Sequence, residues 1–198
     1  ELPRFPVLIE CPEPDRSSIR TTEIAEELAS RGFVVITRAS QDTPLTSENT
    51  RDFFAEEVIS RLESFDPLRE AGWLANRLDF ASVGIYGFAN AGKTALLCCV
   101  DGSFRAGAAI ATGKLATTPK TPFLYLHPED HLGLAAKTFD APAYSVSLAG
   151  AMTNNFGDDA FVSPLMPAFG EFGKIDARRA SQITSAYLAA FFNKHLTR

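Results

Sequence analysis

Gly84-Ile85-Tyr86-Gly87-Phe88-Ala89-Asn90-Ala91-Gly92-Lys93-Thr94-Ala95 is the stretch whose reading decides the fold. It fits two motifs at once. Gly87, Gly92, Lys93 and Thr94 match the phosphate-cradling pattern GxxxxGK[ST]. The same residues match a sharp strand-to-helix turn of the GxSxG type, with Ala89 where the nucleophile would stand. Both motifs need a strand before the turn and a helix after it. Ala81–Tyr86 reads as the strand and Ala91–Val100 as the helix.

Outward from that turn, strands and helices alternate. Phe5–Ile9 is a short β run. Thr22–Arg31 is an amphipathic helix, with Thr21 or Thr22 as its N-cap and Gly32 as its stop. Phe33–Thr37 is a β-branched run of the kind buried on both faces of a parallel sheet. A polar stretch follows, then a helix from Ser47 or Asn49 to Glu63, turns at Asp66-Pro67 and Gly72, and a short helix around Trp73 and Leu74. Beyond the central turn, Gly107–Ala111, Phe123–Leu126 and Tyr144–Leu148 read as strands. A last helix runs from Asp176 to His195 with Ile183, Tyr187, Ala190 and Phe191 on one side. The pattern predicts one α/β domain over 1–198, a doubly wound and mostly parallel sheet with helices on both faces.

Composition narrows the function classes. The chain has 198 residues, 45% hydrophobic and 22% charged, with a net charge of −5. Acids and bases are interleaved, and no basic run is present to track a phosphate backbone, so nucleic acid is not an expected partner. No apolar run reaches about 18 residues, so no membrane span is expected. Cys11, Cys98 and Cys99 have no metal-ligand spacing, and the adjacent pair sits in an apolar run. Buried thiols in a reducing, cytoplasmic setting are the expectation. No cofactor and no metal are expected. His127 and His131 flank Glu129 and Asp130, but Pro128 breaks the helix that would set two imidazoles on one face. His195 is expected to be a cation at the C-terminus of the last helix.

The nucleotide reading lacks supporting parts. Such a site needs an acid at the end of a neighbouring strand to hold Mg²⁺. Gly107–Ala111 leads to Thr112-Gly113, with no acid, and only His127-Pro128-Glu129-Asp130 offers a carboxylate. No NKxD-type guanine signature is present, since Asn193-Lys194 falls in the final helix.

The series as a whole resembles another family. Phe5–Ile9, Glu23–Ile36, Arg77–Leu96, Phe104–Ile110, Thr121–Leu126, Tyr144–Phe156 and Ser185–Leu196 follow the order of the platelet-activating-factor acetylhydrolase, chlorophyllase and cutinase-like group of α/β-hydrolases. The resemblance implies a sheet that begins at the third of the usual eight strands, so that the first strands are lacking. It also implies where the triad would fall. The nucleophile position is Ala89, whose methyl cannot attack a carbonyl. The histidine position is Thr153, beside Met152, and a threonine is no base near pH 7. One placement of the acid falls at Thr112, the other on Asp130 or Glu129. The oxyanion turn falls on Glu10-Cys11-Pro12-Glu13-Pro14, where prolines supply no N–H and Glu10 would repel a developing anion.

The expectation is therefore a non-hydrolytic homologue that keeps an apolar pocket for a small hydrophobic molecule. Cys11, Tyr86, Phe88, Ala89, Asn90, Thr112, Met152 and Thr153 would line it, and Glu10 and Asp130 would move protons in a cyclisation, isomerisation or dehydration. Two alternatives stay open. One is a pseudoenzyme that docks a protein partner or a second copy through apolar surface such as Pro164–Phe172. The other is a nucleotide-binding protein working through Gly87–Thr94.

Overall fold

The computed structural model describes residues 4–11, 20–37, 77–100, 102, 104–113, 117–129, 141–163, 165–169 and 172–197. Six strands in these residues form one sheet: β1 (Phe5–Cys11), β2 (Val34–Ile36), β3 (Leu78–Phe88), β4 (Ala106–Ile110), β5 (Phe123–Pro128) and β6 (Ala143–Leu148). Every pairing is parallel, and the order is β2-β1-β3-β4-β5-β6. The chain moves outward from β1 to β2, then crosses back to place β3 on the other side of β1. That reversal leaves a crevice at the C-terminal ends of β1 and β3, the place where open α/β sheets bind ligands.

Helix α1 (Thr22–Ser30) and the long α4 (Ala177–Leu196) cover one face, and α2 (Ala91–Cys98) covers the other. A short α3 (Asp159–Val162) lies near the crevice. Leu8, Tyr86, Phe88, Leu124 and Leu126 point to the α1/α4 side, and Val7, Ile9, Ile85, Phe123 and Tyr125 to the α2 side. Strands buried on both faces account for the near-continuous apolar runs in the sequence.

Small residues let the layers close. A Cβ on Gly107 of β4 would collide with the Cys99 sulfur, so the end of α2 lies directly on the sheet. On the other face a Cβ on Gly84 would lie 2.9 Å from both Phe192 and Leu196. This contact explains the orientation of α4. Of the expected stripe of Ile183, Tyr187, Ala190 and Phe191, Phe191 is buried and Ile183 half-buried, but the other two are not. Ser181, Thr184, Ser185, Leu188 and Phe192 are buried, while Tyr187 is 47% exposed and Ala190 is also exposed. Small polar side chains at 181, 184 and 185 permit an approach that Tyr187 would block.

Three other expectations are corrected. β1 continues through Glu10 and Cys11, which pair with Tyr86 and Gly87, so neither residue belongs to a turn. Thr21 occupies the N-cap position of α1 but makes no side-chain cap. His195 packs against Phe191 and Tyr144, where burial, aided by Lys194, lowers its pKa below the usual histidine range. That shift works against its charged form, and Lys194 is a second basic residue in the last turn. The helix expected near 47–63, the turn region around Trp73, and Asp130 and His131 lie outside the described residues.

Gly87→Ala tests another such contact, because its added Cβ would collide with the Ala91 carbonyl, a backbone atom that cannot rotate away. The expected loss is about 3 kcal/mol, the upper part of the overpacking range, read from urea unfolding with an unchanged slope.

Candidate functional site

The central turn is very short. β3 ends at Phe88 and α2 begins at Ala91, leaving Ala89 and Asn90 as the connection. Ala89 has φ +49°, a left-handed value that costs a residue with a Cβ about 1–2 kcal/mol. Its N–H donates to the Ile110 carbonyl at 2.9 Å. Gly87 leaves space for the Ala91 carbonyl, and Gly92 leaves space for the Thr112 hydroxyl.

This geometry corrects the nucleotide reading of Gly87–Thr94. A phosphate cradle needs a longer loop whose N–H groups face inward. Here the Ala89 N–H is spent on β4, and those of Gly92 and Lys93 reach the Ala89 and Asn90 carbonyls at 3.2 and 3.1 Å. The two glycines serve packing, Thr94 is buried on α2, and Lys93 points to solvent.

The bend recurs one strand further on. Ala111, just after β4, has φ +50°, and its N–H donates to the Leu126 carbonyl at 2.8 Å. Thr112 follows, fully buried, with its hydroxyl donating to the Ile110 carbonyl at 3.3 Å and its own carbonyl accepting from the Tyr125 hydroxyl. Thr112 thus supports the central turn from behind.

On the α1 side of the crevice, Glu10 and Tyr86 stand next to each other across β1 and β3. Glu10 is 7% exposed and Tyr86 fully buried. Burial pushes the Glu10 carboxyl up to about 6, with the Asp158 charge adding to it and the hydroxyls of Thr21 and Tyr86 opposing it. Thr21 donates a short hydrogen bond to Glu10 Oε1. Glu10 Oε2 and the Tyr86 hydroxyl are near enough to influence each other, yet neither completes a hydrogen bond of proper geometry. Cys11 points to the opposite face, where burial raises its thiol well above the usual range, so it is no nucleophile near neutral pH.

The segment after β6 carries the remaining expected residues. Met152 is 40% exposed and Thr153, half-buried, opens a 3₁₀ turn that ends at Phe156. Asn155 fixes that turn: its Oδ1 accepts from the Met152 and Gly173 N–H groups at 2.9 and 2.6 Å. Asp158 reaches across 136 residues of sequence to accept from the Thr22 N–H at 2.7 Å, and it also accepts from the Glu23 N–H at 3.3 Å. It caps α1 in place of Thr21. Arg20 pairs with Asp159, reaches Asn154 at 3.4 Å and lies over the Phe88 ring at 5.0 Å.

Of the expected site residues, Glu10, Tyr86 and Phe88 are buried on the α1 side of the sheet, Ala89 and Asn90 form the turn, and Met152 and Thr153 lie on the loop after β6. Sequence reasoning missed Arg20, Thr21, Asn155 and Asp158 as parts of the site. Thr21 carried a signal only as a candidate cap of α1, and nothing local pairs Asp158 with a helix so far away. His127 is buried in β5, stacked on Tyr125, with Nδ1 2.8 Å from the Pro128 carbonyl and Nε2 3.0 Å from Ser145 Oγ. Among the described residues no group of three or more His, Cys, Asp and Glu side chains could hold a metal ion. No helix among them is long and apolar enough to cross a membrane. An open groove of about 480 Å³ lies to one side, between Glu23, Glu26, Asp158, Phe161 and Arg178, and none of the expected pocket residues lines it.

No family model matches the chain, and no curated protein matches it. Solved structures do. A ferulic acid esterase from Streptomyces cinnamoneus superposes with a TM-score of 0.65 at 20% identity, covering 98% of this chain and 68% of the esterase. A structure described as m3DLH superposes at 0.62 with 16% identity, covering 100% of this chain and 89% of the other. With the all-parallel sheet and its helices, these likenesses establish an α/β-hydrolase-like fold. At such identities they carry no activity across.

Two measurements check the site's construction. Ala89→Gly and Ala111→Gly are expected to be neutral or stabilising by up to about 1 kcal/mol, because glycine removes the left-handed cost. Ala108→Gly in the middle of β4 is expected to lose about 1–2 kcal/mol in the same urea titration. Asp158→Ala is expected to cost about 1 kcal/mol as a lost cap, with faster amide exchange at Thr22 and Glu23.

Proposed function

We propose that this chain is a non-hydrolytic α/β-hydrolase homologue whose crevice beside Ala89 binds a small hydrophobic molecule. One observation carries the reading. The residue in the left-handed bend between β3 and α2 is alanine, so a methyl group stands where the fold would present a nucleophile. The segment after β6 offers Thr153 in place of a base, and the end of β1 offers buried Glu10 in place of an oxyanion hole. Serine chemistry needs all three parts.

What stays suitable for chemistry is a proton. Glu10, held near a pKa of about 6, is both protonated and ionised in useful amounts around neutral pH. With Tyr86 beside it, it suits a cyclisation, isomerisation or dehydration that needs no covalent intermediate. Asp130 remains a second proton carrier in this reading.

A second reading has its own support. Helix α3 has no buried residue, and Phe161, Val162 and nearby Leu165 are 40, 74 and 67% exposed. An apolar surface of this kind fits a pseudoenzyme that docks a protein partner or another copy.

Thermal unfolding with hydrophobic esters, fatty acids and aromatic polyketide-like acids separates the two. A ligand at about 100 times its Kd adds about 2.7 kcal/mol, a rise of roughly 5–10 °C for a domain of this size. A rise with hydrophobic compounds and none with Mg-ATP or Mg-GTP is expected. No rise with any of them favours the docking reading. Hydrolysis of p-nitrophenyl esters is expected to stay at the buffer rate in both the wild type and Ala89→Ser. A rate well above buffer in Ala89→Ser would show that a working base and oxyanion site survive, and would overturn the non-hydrolytic assignment.

A further inference from the structure

We infer that the Glu10 side chain is a proton-operated latch, which holds the N-terminus of α1 and the 153–159 segment closed against the crevice when protonated and loosens them when ionised. The inference rests on reading the Ala89 crevice as the ligand site.

The geometry brings two separate pieces of chain onto one buried carboxyl. The first piece is Arg20–Glu23, whose Thr21 hydroxyl is spent on Glu10. The second is Asn154–Asp159, joined to the first by the Asp158 cap, by the Asp158 N–H donating to the Arg20 carbonyl at 2.7 Å, and by the Arg20–Asp159 ion pair. Both pieces rest on Phe88, the residue before Ala89. Arg20 covers its ring, and a Cβ on Gly157 would stand 3.3 Å from its edge. These segments thus pack on the residue that leads into the central turn.

Beneath them sit two polar atoms without partners, Glu10 Oε2 and the Tyr86 hydroxyl. A neutral carboxyl tolerates that setting far better than a carboxylate does. Among the described residues, the groups that act on Glu10 are Thr21 before α1, the neutral phenol of Tyr86 on β3 and the Asp158 carboxylate before α3. Asp158 is the one that carries charge, and it has the same sign as ionised Glu10. Glu23 on α1 feels Asp158 in turn, an effect that Arg178 on α4 opposes.

The sign follows from linkage. The closed state holds the Glu10 proton up to a pH of about 6, and a hydrated Glu10 in an open state would lose it near 4.5. Opening therefore releases a proton, and rising pH favours the open state. The gain begins near pH 4.5, is complete above pH 6, and amounts to about 30-fold in the opening equilibrium.

Amide hydrogen exchange on the ligand-free protein at pH 4 and pH 7.5, corrected for the intrinsic rate, reads this directly. The opening constant at residues 21–25 and 155–161 is expected to rise about 30-fold, with the amides of β4 unaffected. Glu10→Gln is expected to hold both segments at the low value at each pH. Thr21→Val removes a bond that favours the carboxylate, so it should move the midpoint to higher pH. Asp158→Asn removes the like charge and should move it to lower pH. Equal pH dependence in wild type and Glu10→Gln, or midpoints that shift the same way in both of the other variants, would overturn the latch. If Glu10→Gln does not fold, the opposed midpoints decide alone. A pH-dependent opening with no hydrophobic ligand raising Tm would keep the latch and remove the ligand site it was thought to guard.

Discussion

The close approach of α2 to the ends of β3 and β4 constrains everything else at the crevice. Gly87 gives way to the Ala91 carbonyl, and Gly92 gives way to Thr112. With the helix that close, only two residues remain to reverse the chain, and one of them must turn left-handed. The N–H of that residue cannot reach a ligand because β4 holds it through Ile110. Thr112, held by the second bend at Ala111, then braces Gly92 from behind. Steric fit, not chemistry at position 89, fixes where the Ala89 methyl sits.

The polar half of the site has a different logic. Hydrogen bonds within the α1 turn leave its first N–H groups without partners, and its nearest candidate cap, Thr21, is committed to Glu10. Asp158 meets that need from a distant part of the chain. The α1 entrance and the segment after β6 are thereby fastened together, with Arg20 as a second tie. Fastening two loops by charge across buried Glu10 couples their packing to a proton, since a buried carboxyl near another carboxylate resists ionisation.

Much of the fold was legible because parallel strands buried on both faces leave unmistakable apolar runs, as in Val7-Leu8-Ile9 and Phe123-Leu124-Tyr125-Leu126. The turn at Ala89 was legible for the same reason, as glycines at 87 and 92 mark a close approach. The extension of β1 through Glu10 and Cys11 was not, because a glutamate before a cysteine and a proline looks like a loop. Its burial depends on Tyr86 and Thr21, which only the folded sheet brings near. The face of α4 was partly misread because Tyr187 looks more apolar than Ser181, Thr184 and Ser185, although those three are buried and Tyr187 is exposed. The fate of Asp158 was out of reach for any local pattern, since its partners lie 135 and 136 residues away.

The left-handed bend at Ala89 bears on function less directly than it first suggests. Strain at a strand end is often a sign of a reacting group held in place. Yet Ala111 carries the same strain, with the same kind of N–H bond to the next strand, and nothing in the resemblance asks a nucleophile of it. The two bends share a cause in the tight stacking of strand ends under α2. A chain that no longer used position 89 for chemistry would still have to keep its shape for the sheet to pack. The bend is therefore evidence about how the fold packs, and by itself it is no sign of a reacting group at position 89.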